Sequence, residues 1–453
     1  MKRVTIVVSD LHMGDGSPGD DFVDDKNQFA TFLREQLATP EGADGQIELI
    51  INGDFLEFVQ VGPEYYRVNS DQYWCTEQES LLKLHKILDG HPEVFKALRE
   101  FQEPGNLVTL FAGNHDIDLY WKDIQEAIRA KAGDKINFEL GEVWYSRYGG
   151  RLQISHGHLI DEIDPANGFQ HWDNPKLNPP GSLNARLEMC PGTIFVVRFV
   201  NLLEAKYPFA DNLHPETAIV NVLWREDRWG LKAVAWAFGR FMRQFPAAFL
   251  STNATSQLED IGKQLEETIA VDSFVRDGIA ELYRDALGEP SMTAGDVRSR
   301  LNSEDKIEEF IANLIASGLS WDRWISVLSA AAPSVNSTKL DSDAPNDDVL
   351  AIRAAGKIDT AQACLNVARE RAAAQKAQVI VLGHTHLPQD IREGTMHYCN
   401  PGSWTRYIDA KGVGSLKLED LANEKTFPYQ LNYVRVEDTG EAALNSSFHK
   451  LPD

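Results

Sequence analysis

Residues 379–388 read VIVLGHTHLP. Four apolar residues, Val379 to Leu382, run into Gly383 and then into His384 and His386, two titratable rings separated by Thr385. A short apolar, β-branched run bounded by turn formers is a buried strand. Such a strand ordinarily ends in residues suited to a turn, not in a pair of imidazoles. One pair decides little by itself, but four other strands of the same kind end in the same chemistry.

RVTIVV (3–8) leads into SDLHMGD, and IELII (47–51) leads into NGDFLEF. NLVTLF (106–111) leads into AGNHDID, and RLQI (151–154) leads into SHGH. Between the early ones lie helical patterns at 27–37, 77–88 and 92–101. Strand–helix–strand alternation predicts an α/β layered sheet. After GHTH, MHYCNPGSW (396–404) and LNYVRVED (431–438) read as returning strands that close the sheet.

The texture between Leu159 and Lys376 is different. Apolar residues recur there at three- and four-residue spacing over 193–206, 216–245, 257–287, 304–317 and 321–331, as in helices. A polar, breaker-rich loop follows at 334–348, and a helix over 358–376 leads back to the sheet. The predicted organisation is a discontinuous core, residues 1–160 and 376–453, interrupted by a mostly α-helical insertion or cap at 161–375. At 453 residues the chain is long enough for one elaborated domain or two.

Four cysteines, Cys75, Cys190, Cys364 and Cys399, lie far apart without CxxC spacing and read as free thiols of a reducing compartment. The opening Met-Lys-Arg-VTIVV run is too short for a signal-peptide core, and no stretch reaches membrane-span length. These features predict a cytoplasmic protein without a transmembrane segment. The formal net charge of -24 repels nucleic-acid backbones and anionic lipid surfaces, which argues against a nuclease.

The strand ends together supply Asp10 and His12; Asp54; Asn114, His115 and Asp116; His156 and His158; and His384 and His386. Six of the chain's twelve histidines fall here, which turn chemistry does not require. In α/β sheets ligands bind beyond the carboxyl ends of the strands, so parallel strands would gather these residues in one crevice. A mixed set of carboxylates, imidazoles and an amide oxygen suits Mn²⁺, Fe or Zn²⁺. The donors exceed the needs of one ion with an open position. Two ions about 3.5–4 Å apart, sharing a carboxylate, would use them all.

The ordered set DxH, GDxxE, GNHD, HGH and GHTH resembles the calcineurin-like metallophosphoesterase superfamily. That resemblance covers residues 1–160 and 376–408 and implies a four-layer αββα sandwich. It implies that Asp10, His12 and His386 hold one metal, that Asn114, His156 and His384 hold another, and that Asp54 bridges them. His115 would assist the leaving oxygen and Asp116 would orient His115. The combination GDFLEF, GHTHLP and NPGSW is similar to the UDP-2,3-diacylglucosamine pyrophosphohydrolases and their relatives. Those enzymes commonly carry Arg where this chain has His115, and they are much shorter.

Around this set lie further candidates for substrate contact. His158 reads as a group lining the site, and Ser403 of NPGSW as a contact for phosphate. His171, with Trp172 and Lys176 in the rigid loop HWDNPKLNPPGS (171–182), reads as a wall near the substrate or a structural loop. Glu57 reads as a supporting or helix-start residue, and the run Asp15, Asp20, Asp21, Asp24 and Asp25 as a solvated loop. The insertion's aromatic stripe reads as its own core, with a homo-oligomer interface as another use.

The expected function is hydrolysis of a phosphoester or phosphoanhydride with two divalent ions, most suitably Mn²⁺. A small phosphodiester or nucleotide is the expected substrate. The alternatives are a nucleotide-sugar lipid pyrophosphate, a nucleic acid, or a partner-binding scaffold with a vestigial site.

Overall fold

The structure is a computed structural model. It describes residues 2–160 apart from 18, 23–26, 63–74 and 142, short pieces between 163 and 226, and residues 360–451 apart from 410–416 and 424. The helical patterns expected over 227–359, and the loop residue His171 with its neighbours Trp172 and Lys176, lie outside the described residues. The chain forms two compact units. The first contains Met1–Val197, Ile358–Tyr407 and Glu424–Asp453, and the second Arg198–Lys357 and Ile408–Asn423.

Two sheets build the first unit. One starts from β1 (Arg3–Val8), followed by α1 (Gln28–Leu37) and β2 (Ile47–Ile51). Then come α2 (Glu77–Gly90), α3 (Pro92–Gln102), β3 (Leu107–Phe111), α4 (Lys122–Ala132) and β4 (Ile136–Glu139). The chain passes to the other sheet with β5 (Tyr145–Arg147) and β6 (Leu152–Ile154). It returns there after α5 (Thr360–Gln375) with β7 (Val379–Val381), β8 (Gln389–Glu393) and β9 (Met396–Asn400). Finally β10 (Asn432–Asp438) and β11 (Asn445–Lys450) rejoin the first sheet.

The six-stranded sheet has the order β11-β10-β1-β2-β3-β4, and the five-stranded sheet the order β8-β9-β7-β6-β5. β1 through β4 are parallel, and so are β6, β7 and β9. The two sheets are those of the expected four-layer sandwich, and the two returning strands part company between them. MHYCN joins β7 in one sheet, while NYVRVED lies antiparallel to β1 in the other.

Alternation along the strands explains the layers. On β1 and β2, Val4, Ile6, Val8, Ile47, Leu49 and Ile51 point into a core shared with Phe29, Phe32, Phe95 and Leu98 of the helices. Val7 and Ile50 point the opposite way and meet Val379, Val381 and Ile154 of the other sheet. On β7 the neighbours Ile380 and Leu382 turn outward onto Cys364 and Ala368 of α5. Both faces of the central strands are buried, so their sequences run apolar without interruption. The result is helix, sheet, sheet, helix. It is the metallophosphoesterase-type α/β sandwich. The helices also obey local rules. Thr76 caps α2 by accepting from the Glu79 N–H, and Glu79 reaches back to the Thr76 N–H.

In the second unit, residues 213–214 pair in parallel with 408–409. Of the cysteines, Cys75, Cys364 and Cys399 are free and buried, and Cys190 lies outside the described residues. No helix among the described residues is long and apolar enough to cross a membrane.

Candidate metal centre

All five motif segments begin where a parallel strand ends, three on one sheet and two on the other. The first loop carries Asp10 and His12, the second Asp54 and the third Asn114, His115 and Asp116. Short backbone bonds tie the loops together. The Asp10 N–H donates to Gly53 O at 3.2 Å, and the His12 N–H to Asp54 O at 2.9 Å. The His384 N–H, from the other sheet, donates to the Asp10 carboxylate at 3.0 and 3.1 Å.

Two groups of donors result. Ligand atoms of Asp10, His12 and His386 lie within 4.8 Å of one another, and so do those of Asp54, His156 and His384. Asp54 Oδ2 is 3.2 Å from His156 Nε2 and 3.7 Å from His12 Nε2, so it lies between the groups. Its Oδ1 accepts the His115 N–H at 2.8 Å. Asn114 falls in the turn between Gly113 and His115. Gly113 packs so closely on Asp54 that a Cβ there would overlap the carboxylate.

Ring orientations make these donors available to a cation. His12 Nδ1–H donates to Glu57 at 2.7 Å, and His156 Nδ1–H donates to Asn52 O at 2.7 Å. Each ring then turns the lone pair of Nε2 inward. His12 Nε2 and His386 Nε2 face each other at 2.9 Å, and the buried His156 Nε2 faces the Asp54 carboxylate at 3.2 Å. Two inward-facing ring nitrogens and two buried carboxylates fit a divalent metal of the N/O-liganded type.

The charge pattern points the same way. Burial works against ionising Asp10 and Asp54, yet the surrounding histidines hold Asp10 below the usual carboxylate range and Asp54 well below it. Burial likewise opposes a charge on His156, but Asp54 and Asp10 prevail and raise it to about 9. The field at this point favours positive charge. His158, beside His156 and His384, is driven well below its ordinary value by burial and by those two rings.

The support around His115 differs from expectation. Its Nδ1–H donates to Glu57 Oε2 at 2.7 Å, and the same oxygen receives His12. Glu57 therefore orients both rings, and burial notwithstanding, His115 and His12 hold its pKa at about 2. Asp116, expected in that role, instead accepts the N–H groups of Gly113 at 2.6 Å and Phe55 at 2.8 Å. It pins the third loop to the second. Burial and the nearby Asp54 push its pKa up to about 7. The signal for Glu57 was present in GDxxE: the three-residue step to an acid after Asp54.

Two further expectations change. Ser403 is fully buried, and its hydroxyl shares a hydrogen bond with Thr405 at 2.9 Å, so it does not reach a phosphate. In the acidic run, Asp20 is buried rather than solvated. It accepts the Gly14, Gly16 and Phe22 N–H groups and the His91 ring, which folds the first loop back on itself.

Comparison with known proteins gives one family. A search of curated proteins finds no match to the chain. The calcineurin-like phosphoesterase superfamily domain matches residues 289–421. That span holds GHTH and NPGSW but stops short of the other four motifs, which reach the same site through the fold. The match and the two-sheet sandwich together support the calcineurin-like phosphoesterase superfamily for this chain.

Proposed function

We propose that this protein is a dimetal hydrolase of phosphoesters or phosphoanhydrides whose substrate is a small phosphodiester or nucleotide. One observation carries the reading: the buried Asp54 lies between Asp10, His12 and His386 on one side and His156 and His384 on the other, donors drawn from both sheets. Asp10, His12 and His386 would hold one ion, Asn114, His156 and His384 the other, and Asp54 would serve both. Two divalent ions held there, Mn²⁺ above all, would supply a Lewis acid to activate water and offset the charge of the phosphoryl oxygens.

His115 moves the proton in this reading. With Nδ1 anchored on Glu57, Nε2 is the atom that delivers a proton to the departing oxygen, and the Glu57 carboxylate steadies the imidazolium that does so. His158 lines the same site as a neutral ring. The insertion at 161–375 would select the substrate.

The test is a hydrolysis panel with Mn²⁺: aryl phosphomonoester, aryl phosphodiester, cyclic nucleotides, nucleotide sugars and single-stranded DNA. The expected result is turnover of a diester or nucleotide. His115→Ala should lower it about 10²–10⁴-fold with metal content unchanged. Asp54→Asn should lose bound metal. Absence of any bound transition ion under Mn²⁺-replete conditions would overturn the reading.

The alternative reading is a nucleotide-sugar lipid pyrophosphate. Turnover of an acylated nucleotide sugar well above that of its deacylated form would favour this alternative.

A further inference from the structure

A second set of donors lies away from the five loops, on the edge of the five-stranded sheet. Asp390 of β8 stands directly across from Cys399 of β9, and His397 precedes Cys399 by two residues on the same face. His397 Nε2 is 2.7 Å from Asp390 Oδ1 and 3.1 Å from Cys399 Sγ. The other ring nitrogen, Nδ1, is 2.7 Å from Ser446 Oγ on β11 of the opposite sheet. Donor atoms of the three residues lie within 4.8 Å of one another.

Protons alone satisfy the ring and the carboxylate but not the sulfur. If Nε2 carries the hydrogen, Asp390 accepts it and the Ser446 hydroxyl donates to Nδ1, while the Cys399 sulfur lies against a nitrogen that has no lone pair for it. If Nδ1 carries it, Ser446 accepts and the Nε2 lone pair faces a carboxylate oxygen. A cation among the three atoms removes the conflict, with Nδ1–H donating to Ser446 and all three donors turned inward. In a tetrahedral Zn²⁺ site nitrogen and sulfur stand about 3.5 Å apart, which needs only a small spreading of the present contact. Arg392 of β8 donates to Ser446 O at 2.6 Å.

We propose that Asp390, His397 and Cys399 form a separate metal site for a thiolate-accepting divalent ion such as Zn²⁺, with water as the fourth ligand. Its sulfur sets it apart from the nitrogen and oxygen donors of the main centre. Binding releases the Cys399 thiol proton to solvent and forms the metal–sulfur bond; no electron is transferred. Cys399 and His397 are buried, while the Asp390 carboxylate is about half exposed and provides the entrance. Ser446 fixes the ring from behind, as outer partners of ligating histidines do.

The test uses the full chain, stripped with chelator and titrated with Co²⁺. The wild type should develop thiolate-to-Co²⁺ absorption in the near ultraviolet, and Cys399→Ser should lose it. Asp54→Asn, which leaves this edge intact, should keep it. Asp390→Ala removes a half-exposed carboxylate and preserves folding, so it provides the second variant. It should weaken the Co²⁺ affinity read at this absorption by about tenfold or more. No thiolate absorption in the wild type, its persistence in Cys399→Ser, its loss in Asp54→Asn, or an unchanged affinity in Asp390→Ala would each overturn the proposal.

Discussion

Five of the candidate ligands hold a backbone conformation that most side chains avoid. Asp10, His12, Asp54, His384 and His386 all have φ between 47° and 68°, the left-handed region. Only four other non-glycine residues among those described share it. Asp and His tolerate this region better than most, but each still costs about 1 kcal/mol. His386 is partly exposed, so its packing contributes little. His386→Gly should therefore weaken binding of the ion held with Asp10 and His12 yet leave the metal-free protein as stable or about 1 kcal/mol more stable. His386→Ala should lack that gain. Urea midpoints of the two stripped variants make the comparison. Glu57 gives a second test at this scale. Its pKa falls from 4.5 to about 2 on folding, so its contribution is complete above 4.5 and is lost as the pH falls through 2. That contribution is on the order of 3 kcal/mol. The stripped wild type should lose stability between pH 4.5 and 2 more steeply than Glu57→Gln. With metal, Glu57→Gln should weaken binding about 10–100-fold, because one oxygen orients His12 as well as His115. The ligating residue types were legible in the sequence because few other roles explain Asp, Asn and His after buried strands. Which carboxylate holds His115 was not. Asp116 adjoins it in the chain, but the turn aims that side chain at backbone N–H groups of the neighbouring loop.

At the scale of elements, the strands could be read because burial on both faces leaves an unbroken apolar run. Their partition between two sheets could not. β6 and β7 have the same texture as β1 to β3, and only the pairing of 431–438 with β1 and of 396–400 with β7 separates them. The NPGSW turn shows what such connections do. Its Ser403 was a candidate phosphate contact by position, but the turn buries it. Trp404 carries the function instead. Its backbone N–H donates to Asp10 O at 2.9 Å, and its indole N–H donates to Asn432 O at 2.9 Å. The ring packs against Phe29 and Phe32 of α1. Trp404→Ala should cost about 3–5 kcal/mol in chemical denaturation. It should also weaken metal binding, since the loop holding Asp10 loses its brace; affinity unchanged in a folded variant would show that the brace is dispensable.

The whole molecule adds a long-range field. With a formal net charge of -24, an anionic phosphate substrate approaches against repulsion. Raising the salt from 0.01 M to 0.15 M shortens the screening length from about 30 Å to about 8 Å. The kcat/KM for an aryl phosphate should therefore rise with salt. A fall would reveal a local positive funnel stronger than the global charge.

β1 lies between β2 and β10, and its antiparallel neighbour begins at Asn432. At ribosomal speeds of about 5–20 residues per second, roughly 20–90 s separate the emergence of these two strands. For that interval a long flank of β1 is an unpaired edge, with its N–H and C=O groups open to other chains. Nascent chains of this protein should thus engage chaperones until the last strands appear. Asp10 and His386 meet across a similar stretch, so a divalent ion supplied at that moment would act as a clasp on the long loop of chain between them.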